Sequence, residues 1–304
     1  MKNSAQNKTL ISIVGPTAIG KTNLAIQIAK QLNCEIVSCD SRQFFKEMKI
    51  GTAVPSDHEL TEVKHHFIQN ISIHDNYSVG DFERDGINFL NNYFKYNNYC
   101  IMVGGSGLYE KAITIGFDQF PDVETSIRKE LNLILEEKGL DILQQELKEK
   151  DPIYFNEVDI YNKQRVIRAL EIIRGTGKPF SSYRNQQVTP RQFNIIKIGL
   201  ELPREEMYNR INRRVDIMLQ EGLLEEAKSL HNLKHLNALQ TVGYRELFDY
   251  FEDKITLDFA IEEIKKNTRR FAKRQMTWFK KDDKIKWYNP TEIETIIKFI
   301  KNSD

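Results

Sequence analysis

A glycine-rich segment near the amino terminus has the residue types and the spacing that bind phosphate. Gly15–Thr22 fits the pattern G-x-x-x-x-G-K-[ST], with Lys21 and Thr22 in its last two positions. In such a loop, backbone N–H groups converge on phosphate oxygens, the lysine reaches the outer phosphate, and the final hydroxyl is a ligand of Mg²⁺. The pattern predicts that the following residues bind phosphate: Gly15, Pro16, Thr17, Ala18, Ile19, Gly20, Lys21 and Thr22.

The segments on either side of this loop support the same interpretation. Leu10–Val14 has the composition of a short buried strand, and Asn23–Leu32 carries apolar residues at helical spacing. A strand before the loop and a helix after it distinguish a phosphate loop from a chance match. The helix N-terminus adds a partial positive charge. We therefore expect the protein to bind a phosphorylated compound, and the alternative is a strand-to-helix turn without a ligand.

Two more polar clusters follow predicted strands. The strand Glu35–Ser38 is followed by Asp40 and its polar neighbours, and the strand Tyr99–Val103 runs into a glycine-rich segment that contains Ser106. Open α/β sheets place their ligands at the carboxyl ends of their strands. The sequence therefore predicts that Asp40 takes part in chemistry and that Ser106 offers a hydroxyl at the same edge of the sheet.

The alternation of strands and helices stops near Pro121 and resumes with a strand at Asn194–Leu200. Between them the pattern predicts only helices, at 122–138, 141–150 and 161–174, followed by a polar run. After the resumed strand, helices are predicted at 204–221, 223–233, 244–251 and 257–281. The sequence thus predicts an α/β fold, with a P-loop NTPase-like parallel sheet core at 1–119 and 193–304. A helical domain at 120–192 is inserted in it.

Composition excludes several classes of protein. The 304 residues are 40% hydrophobic and 29% charged, which is typical of a globular protein in water. No apolar run approaches the roughly 20 residues of a membrane span. The first residues lack the apolar segment of a signal peptide. The three cysteines have no C-x-x-C spacing, which predicts buried or incidental thiols of a reducing cytosol rather than a disulfide framework or a zinc site. We expect a cytoplasmic protein without a membrane partner.

Basic residues are concentrated in two regions. The overall net charge is +1, but residues 265–286 contain ten Lys or Arg against two Asp, and residues 161–191 contain seven against one Glu. Two basic regions on an otherwise acidic chain are typical of a surface that binds a polyanion. The alternative, two solvated helix faces, stays open on charge alone.

His65 and His66 are adjacent, which invites a metal-site interpretation. Adjacent side chains of a strand point to opposite faces of the sheet, and no third ligand lies at a suitable spacing. Structural or positioning roles are therefore favoured over metal binding for both histidines.

A series of motifs spread along the chain resembles the bacterial tRNA dimethylallyltransferases. In chain order they are GPTAIGKT, DSRQ at 40–43, IGTA at 50–53, HHF at 65–67, GGSGLY at 104–109, QRVIRALE at 164–171, VGY at 242–244 and TRRFAKRQMTW at 268–278. The resemblance runs from about residue 9 to about residue 288. Three positions depart from the usual family pattern: Ser106 stands in place of Thr, Phe45-Lys46 in place of Tyr-Arg, and Arg270 in place of Gln.

The resemblance implies an activity and roles for particular residues. The family moves a dimethylallyl group from dimethylallyl diphosphate to N6 of adenosine 37, beside the tRNA anticodon, with Mg²⁺ as cofactor. By this resemblance Asp40 accepts the proton from the adenine amine, and Ser106 corresponds to an active-site Thr that contacts the adenosine. Arg210 and Arg214 match arginines near the diphosphate. We expect a monomer with two partners, tRNA and dimethylallyl diphosphate.

The resemblance also implies which residues contact tRNA. The segment Asp40, Ser41, Arg42 and Gln43 matches one tRNA-contacting segment, as does the segment Gln164, Arg165, Val166, Ile167 and Arg168, and Ser106 and Arg128 fall at further contact positions. Lys273 and Arg274 lie in the basic region near the carboxyl end and are expected to bind tRNA as well. A base within an anticodon loop must leave its stack to reach such a site.

Two other function classes are compatible with a phosphate loop. One is a kinase that phosphorylates a nucleoside or a small acid, although the strand end at Tyr99–Gly105 lacks the acidic residue that such kinases use. The other is a non-catalytic RNA-binding protein that uses the loop as a nucleotide switch. ATP consumption would reveal the first, and dispensability of Asp40 would indicate the second.

Overall fold

A single parallel sheet carries the three loops that the sequence singles out. The computed structural model describes residues 8–184 and 190–303. Its strands are β1 (Thr9–Val14), β2 (Ile36–Ser38), β3 (His65–His66), β4 (Tyr99–Gly104), β5 (Asn194–Leu200) and β6 (Lys286–Tyr288). Their order in the sheet is β3-β2-β4-β1-β5-β6, and every neighbouring pair is parallel. The predicted parallel α/β core is confirmed.

Helices connect these strands and cover the sheet. In chain order they are α1 (Lys21–Leu32), α2 (Asp57–Glu62), α3 (Val79–Tyr93), α4 (Gly107–Thr114), α5 (Thr125–Lys138), α6 (Leu140–Lys150), α7 (Pro152–Glu157), α8 (Lys163–Thr176), α9 (Arg204–Gln220), α10 (Leu223–Leu230), α11 (Tyr244–Phe251), α12 (Leu257–Phe279) and α13 (Ile293–Asn302). Short 3₁₀ helices lie at Phe180–Tyr183, His231–Leu233 and Asn237–Leu239.

Strand register brings the three predicted loops side by side. All residues of β1 are buried, as expected for a central parallel strand that is covered on both faces. Val14 at its end pairs with Gly104 of β4, and Val103 of β4 pairs with Ser38 of β2. The chain leaves these strands at the same edge of the sheet. The phosphate loop, the Asp40 turn and the Ser106 segment are therefore neighbours.

The chain divides into two compact units. One comprises residues Met1–Ile115 and Arg191–Asp304 and contains the sheet. Apolar clusters cover both faces of that sheet, and a third cluster joins α9 to α12. The other unit, Gly116–Pro190, contains α5 to α8 and has its own core around the apolar face of α8.

Predicted helix positions agree with the structure, and their ends differ for local reasons. The helix predicted from Tyr161 begins at Lys163, because the side chain of Asn162 accepts a hydrogen bond from the Arg165 N–H at 3.2 Å and caps the helix there. The prediction missed α13, although Ile293, Ile296, Ile297 and Ile300 have helical spacing and the last three are buried. It also missed the short helices α2 and α7. The polar run that closes the predicted insertion extends into 185–189, outside the described residues.

None of the described helices combines the length and the apolar composition needed to cross a membrane. The three cysteines are free and buried, as the sequence predicts.

Candidate active site

The phosphate loop joins β1 to α1 in the predicted arrangement. Gly20 adopts a left-handed conformation with φ of 101°, which suits glycine and strains other residues. Lys21 begins α1, and its Nζ donates hydrogen bonds to the carbonyl oxygens of Gly15 at 3.0 Å and Pro16 at 2.8 Å. Burial lowers the pKa of Lys21 to about 8, while the nearby Asp40 carboxylate opposes this shift. The loop thus presents one folded-back lysine and a helix N-terminus.

The Asp40 turn is held by short polar contacts. Its backbone N–H donates to Ser38 Oγ at 3.2 Å, and its Oδ1 accepts from the Arg42 N–H at 3.2 Å. Ser41 contacts Ser106 Oγ through both its N–H and its hydroxyl, each at 3.2 Å. These bonds join the loops after β2 and β4. The predicted base and the predicted hydroxyl are therefore parts of one site.

The next two residues of this turn use their side chains within the protein. Arg42 Nη1 donates to the carbonyl of Ala238 at 2.9 Å, and burial lowers the pKa of this guanidinium, with Asp40 opposing. Gln43 Nε2 donates to the Ala53 carbonyl at 2.8 Å, and Gln43 Oε1 accepts from Ser38 Oγ at 3.1 Å. Both side chains hold neighbouring loops in place around Asp40.

Two cavities meet at Asp40. The first, about 900 Å³, is lined by the phosphate loop from Thr17 to Thr22, by residues 49, 50 and 52–57, and by α9. The second, about 530 Å³, is lined by Ser106, by α12 and by residues 240–243. Thr17, Asp40, Thr52 and Arg214 line both cavities. A molecule in either cavity would therefore face the Asp40 carboxylate.

Two arginines of α9 reach the phosphate loop. Arg214 Nη1 donates to Thr17 Oγ1 at 3.2 Å, and Arg210 Nη1 donates to the Ile19 carbonyl at 3.3 Å. They lie one turn apart on the helix, so both face the loop. Burial lowers the pKa of Arg214, and Asp40 opposes that shift. Together with Lys21 they place three cationic side chains at the phosphate loop, which suits an anionic ligand there.

Gln275 is a residue of the site that the sequence reasoning did not assign. Its Oε1 accepts from the Thr17 N–H and its Nε2 donates to the Gly105 carbonyl, both at 2.9 Å. The buried side chain of this α12 residue thereby joins the phosphate loop to the Ser106 segment. Its place in the AKRQMTW motif was the available signal, but its partners lie 258 and 170 residues away in sequence.

Arg274 of α12 lines the second cavity, whereas Lys273 lines a separate pocket beside Pro16 and Tyr208. Lys273 and Arg274 are exposed, and the Arg274 guanidinium lies 5.7 Å from the centre of the Phe271 ring. Phe271 and Trp278 expose about two fifths of their surface, at 39% and 41%, and line the cavity. Exposed rings beside arginines are a surface on which nucleic-acid bases stack.

The helical unit carries a second group of the predicted tRNA contacts. Glu171 is buried and pairs with Arg128 at 3.1 Å and Arg168 at 2.9 Å. Arg128 also donates to Gln164 Oε1 at 3.1 Å. The residues of the predicted tRNA-contacting segment 164–168 differ in exposure: Gln164, Arg165 and Arg168 are exposed, whereas Val166 and Ile167 are fully buried. The two apolar side chains therefore pack in the core of this unit, and its polar face consists of the others.

Metal binding by side chains alone has no support among the described residues, which include no group of three or more His, Cys, Asp or Glu able to hold an ion. His66 Nε2 lies 2.5 Å from Glu35 Oε2, and His65 Nδ1 lies 2.8 Å from the Val63 carbonyl. Thr22 lines the first cavity beside Lys21. Its hydroxyl and the carboxylate of Asp40 are oxygen ligands of the kind that Mg²⁺ prefers.

The sheet, the phosphate loop and the paired cavities define a phosphate-loop α/β protein in which lysine and arginine side chains line a cavity next to a carboxylate. Residues 43–282 match the model of the family described as IPP transferase. The chain belongs to this IPP transferase family.

Relatives of known sequence cover nearly the whole chain. The chain is 57% identical over 286 residues to a tRNA dimethylallyltransferase of Flavobacterium psychrophilum, covering 92% of this chain and 93% of the relative. It is 59% identical over 279 residues to a tRNA dimethylallyltransferase of Christiangramia forsetii, covering 92% of each. The predicted family resemblance is confirmed.

Solved structures resemble the model over similar lengths. A full-length tRNA isopentenylpyrophosphate transferase of Bacillus halodurans matches with a TM-score of 0.72 and 36% identity, over 97% of this chain and 96% of that one. A eukaryotic dimethylallyltransferase acting on tRNA matches with a TM-score of 0.78 and 28% identity, over 94% and 75%. The P-loop NTPase-like fold class predicted from the sequence is confirmed.

Proposed function

We propose that this protein transfers a dimethylallyl group from dimethylallyl diphosphate to N6 of adenosine 37 in tRNA. The adenine nitrogen attacks C1 of the donor and forms the new C–N bond. The C1–O bond breaks, and diphosphate leaves with the bonding electron pair. The proton lost from the amine goes to Asp40, because an exocyclic adenine amine is a poor nucleophile without a positioned base.

The observation that carries this proposal is the position of Asp40 between two cavities of different character. The first cavity is lined by the phosphate loop, Arg210 and Arg214, which suits a diphosphate. The second opens beside Ser106 and the rings of Phe271 and Trp278, which suits an unstacked base. An in-line displacement between two such ligands places the amine next to the carboxylate.

The leaving group gains negative charge as the C1–O bond breaks. Lys21, the arginines of α9 and the backbone amides of the phosphate loop would stabilise that charge. Members of the family use a divalent metal ion with the diphosphate substrate. We propose Mg²⁺ in this protein, held by the Thr22 hydroxyl and by diphosphate oxygens, where it would neutralise charge on the leaving group.

The tRNA is proposed to contact three polar surfaces. They are the Asp40 turn with Ser106, the basic face of α12 with Lys273 and Arg274, and the polar face of the helical unit formed by Arg128, Gln164, Arg165 and Arg168. Glu171 compensates part of the charge of Arg128 and Arg168 and fixes both guanidinium groups. Fixed guanidinium groups recognise phosphate with little loss of side-chain entropy.

The proposal is tested by incubating the protein with tRNA and dimethylallyl diphosphate and analysing the nucleosides by mass. We expect adenosine that carries one five-carbon prenyl group, formed without ATP. A tRNA that stays unmodified under these conditions, or that becomes phosphorylated only with ATP, would refute the proposal.

Donor binding should depend on pH through Lys21. Its pKa of about 8 means that the free protein loses this charge as the pH rises through 8, whereas bound diphosphate favours the protonated form. At pH 9 only about one tenth of the free protein keeps the charge, so affinity for pyrophosphate should fall about tenfold from its value at pH 7. Calorimetry should show this fall together with proton uptake.

The variant Lys21→Arg separates this effect from the titration of pyrophosphate itself. Arginine stays charged between pH 7 and pH 9, so the affinity of the variant for pyrophosphate should change only with the protonation of pyrophosphate itself. The same pH dependence in both proteins would show that Lys21 does not titrate in this range.

Two double variants test the basic surfaces separately. Removal of Arg165 and Arg168, or of Lys273 and Arg274, should weaken tRNA binding and flatten its salt dependence. Each lost phosphate contact lowers the slope of log K against log salt by about 0.7–0.9. Affinity for dimethylallyl diphosphate without tRNA should stay within about twofold, because these positions lie outside the phosphate loop.

The measurement is tRNA binding over a salt series for Arg165→Ala/Arg168→Ala and for Lys273→Ala/Arg274→Ala. The matched control is Lys298→Ala/Lys301→Ala, which removes two exposed cations of α13 outside both basic regions and should keep wild-type affinity and slope. Wild-type affinity and slope in both test variants would mean that these regions are ordinary solvated surface.

A further inference from the structure

One carboxylate on α10 holds the loop that forms a wall of the first cavity. Glu226 Oε2 accepts hydrogen bonds from the N–H groups of Lys49 at 3.0 Å and Ile50 at 2.8 Å. Its Oε1 accepts from the Gly51 N–H at 2.9 Å and from the Tyr244 hydroxyl at 2.7 Å. Four donors converge on one side chain, three of them consecutive backbone amides.

The surroundings allow little freedom at this point. Tyr244 is fully buried, and a Cβ on Gly51 would lie 2.6 Å from its ring, so only glycine fits there. Burial raises the pKa of Tyr244, so its hydroxyl remains a donor. This arrangement accounts for two sequence motifs, IGTA and VGY, to which the proposed chemistry gives no role. They form the two sides of the Glu226 contact.

The held loop continues directly to the reaction centre. Thr52 lines both cavities beside Asp40, while Ile50, Ala53 and Val54 form an apolar part of the first. The carbonyl of Ala53 accepts from Gln43, whose Oε1 accepts from Ser38 Oγ, and Ser38 Oγ accepts from the backbone N–H of Asp40. A continuous chain of hydrogen bonds therefore leads from the loop that Glu226 holds to the Asp40 turn.

We infer that Glu226 is a positioning residue that fixes residues 49–54 as the wall against which the prenyl chain of the donor packs. The inference rests on the proposed function of the cleft. The phosphate loop and the α9 arginines hold the diphosphate end, and they make no contact with Glu226. The apolar residues of the loop face the same cavity and remain available for the five-carbon group. Loss of Glu226 should therefore affect the prenyl end of the donor and spare the diphosphate end.

The test compares Glu226→Gln with the matched control Glu225→Gln, an exposed neighbour on the same helix. In Glu226→Gln an NH₂ group would face backbone donors, which releases the loop. We expect the KM for dimethylallyl diphosphate to rise about tenfold or more, as for a lost hydrogen-bond cluster on a charged group. The inhibition constant of inorganic pyrophosphate and the KM for tRNA should stay within about twofold. The KM of Glu225→Gln for dimethylallyl diphosphate should equal that of the wild type. The KM of Tyr244→Phe should lie between those of the wild type and Glu226→Gln.

Amide hydrogen exchange provides a readout that does not require turnover. In the wild type, dimethylallyl diphosphate should slow exchange at Lys49, Ile50 and Gly51 more than pyrophosphate does, and Glu226→Gln should remove the difference. Donor-dependent protection without prenyl transfer would refute the proposed function and leave this inference intact. Two outcomes would show that Glu226 has a general structural role and that the inference is wrong. In the first, Glu226→Gln lowers the melting temperature but leaves the KM for dimethylallyl diphosphate unchanged. In the second, it changes that KM, the inhibition constant of pyrophosphate and the KM for tRNA by the same factor.

Discussion

Asp40→Asn is expected to lower the single-turnover rate of prenyl transfer by about 10²–10⁴, the usual effect of losing a general base. The amide keeps the shape of the side chain and can still accept the hydrogen bond from the Arg42 N–H. It cannot accept the proton from the adenine amine. Affinity for tRNA should change far less, because the polar and basic surfaces remain. Rapid-quench transfer with saturating tRNA and donor measures the rate.

Asp57→Asn is the matched control for this variant. Asp57 also borders the first cavity, but its side chain is largely exposed and pairs with exposed Lys49 at 3.1 Å. Its substitution should leave the rate within about twofold, since exposed pairs contribute little. A near-normal rate in Asp40→Asn would mean that Asp40 is structural or binds the metal, and another group would have to take the proton.

Lys21→Ala is expected to abolish productive use of the donor, with a fall in kcat/KM of about 10²–10³ or more. Lys21 is the lysine that the phosphate loop itself supplies, whereas the arginines that contact this loop belong to α9. In the proposed reaction, its removal takes a cation from the place where negative charge develops on the leaving diphosphate. Steady-state kinetics over a donor series measure the effect, and binding of tRNA alone should be unchanged.

Lys30→Ala, on the same helix, controls for the loss of a lysine as such. Lys30 is exposed and forms a surface pair with Glu62, so the variant should behave as the wild type. Full activity of Lys21→Ala would overturn the assignment of this loop as the diphosphate site.

The parts of the site that are local in sequence were predictable. The phosphate loop, the strand before it and the helix after it are specified by adjacent residues. The apolar patterns of β2 and β4 are each followed by polar residues, so the ends of these strands could also be identified from the sequence. Parallel register then places Asp40 and Ser106 next to the loop. The helical character of the inserted segment followed from its apolar spacing.

The parts that depend on distant contacts were not predictable. Glu226 accepts hydrogen bonds from backbone amides 175–177 residues away, and a backbone N–H is common to every residue type except proline, so these donors leave no sequence signal. Gln275 joins two loops that the sequence separates widely. Ion pairing of Arg128 with buried Glu171 likewise depends on how α5 packs against α8. Such contacts follow from tertiary packing, which a local pattern does not encode.

The most direct test of the account measures the stoichiometry and position of transfer in one reaction. Purified protein, a single tRNA species with adenosine at positions 36 to 38, dimethylallyl diphosphate and Mg²⁺ are combined without ATP. Released diphosphate is quantified, and tRNA fragments are sequenced by mass. We expect one diphosphate released per prenyl group, with the prenyl group on adenosine 37. Diphosphate release without prenylated tRNA, or a prenyl group at another nucleotide, would contradict it.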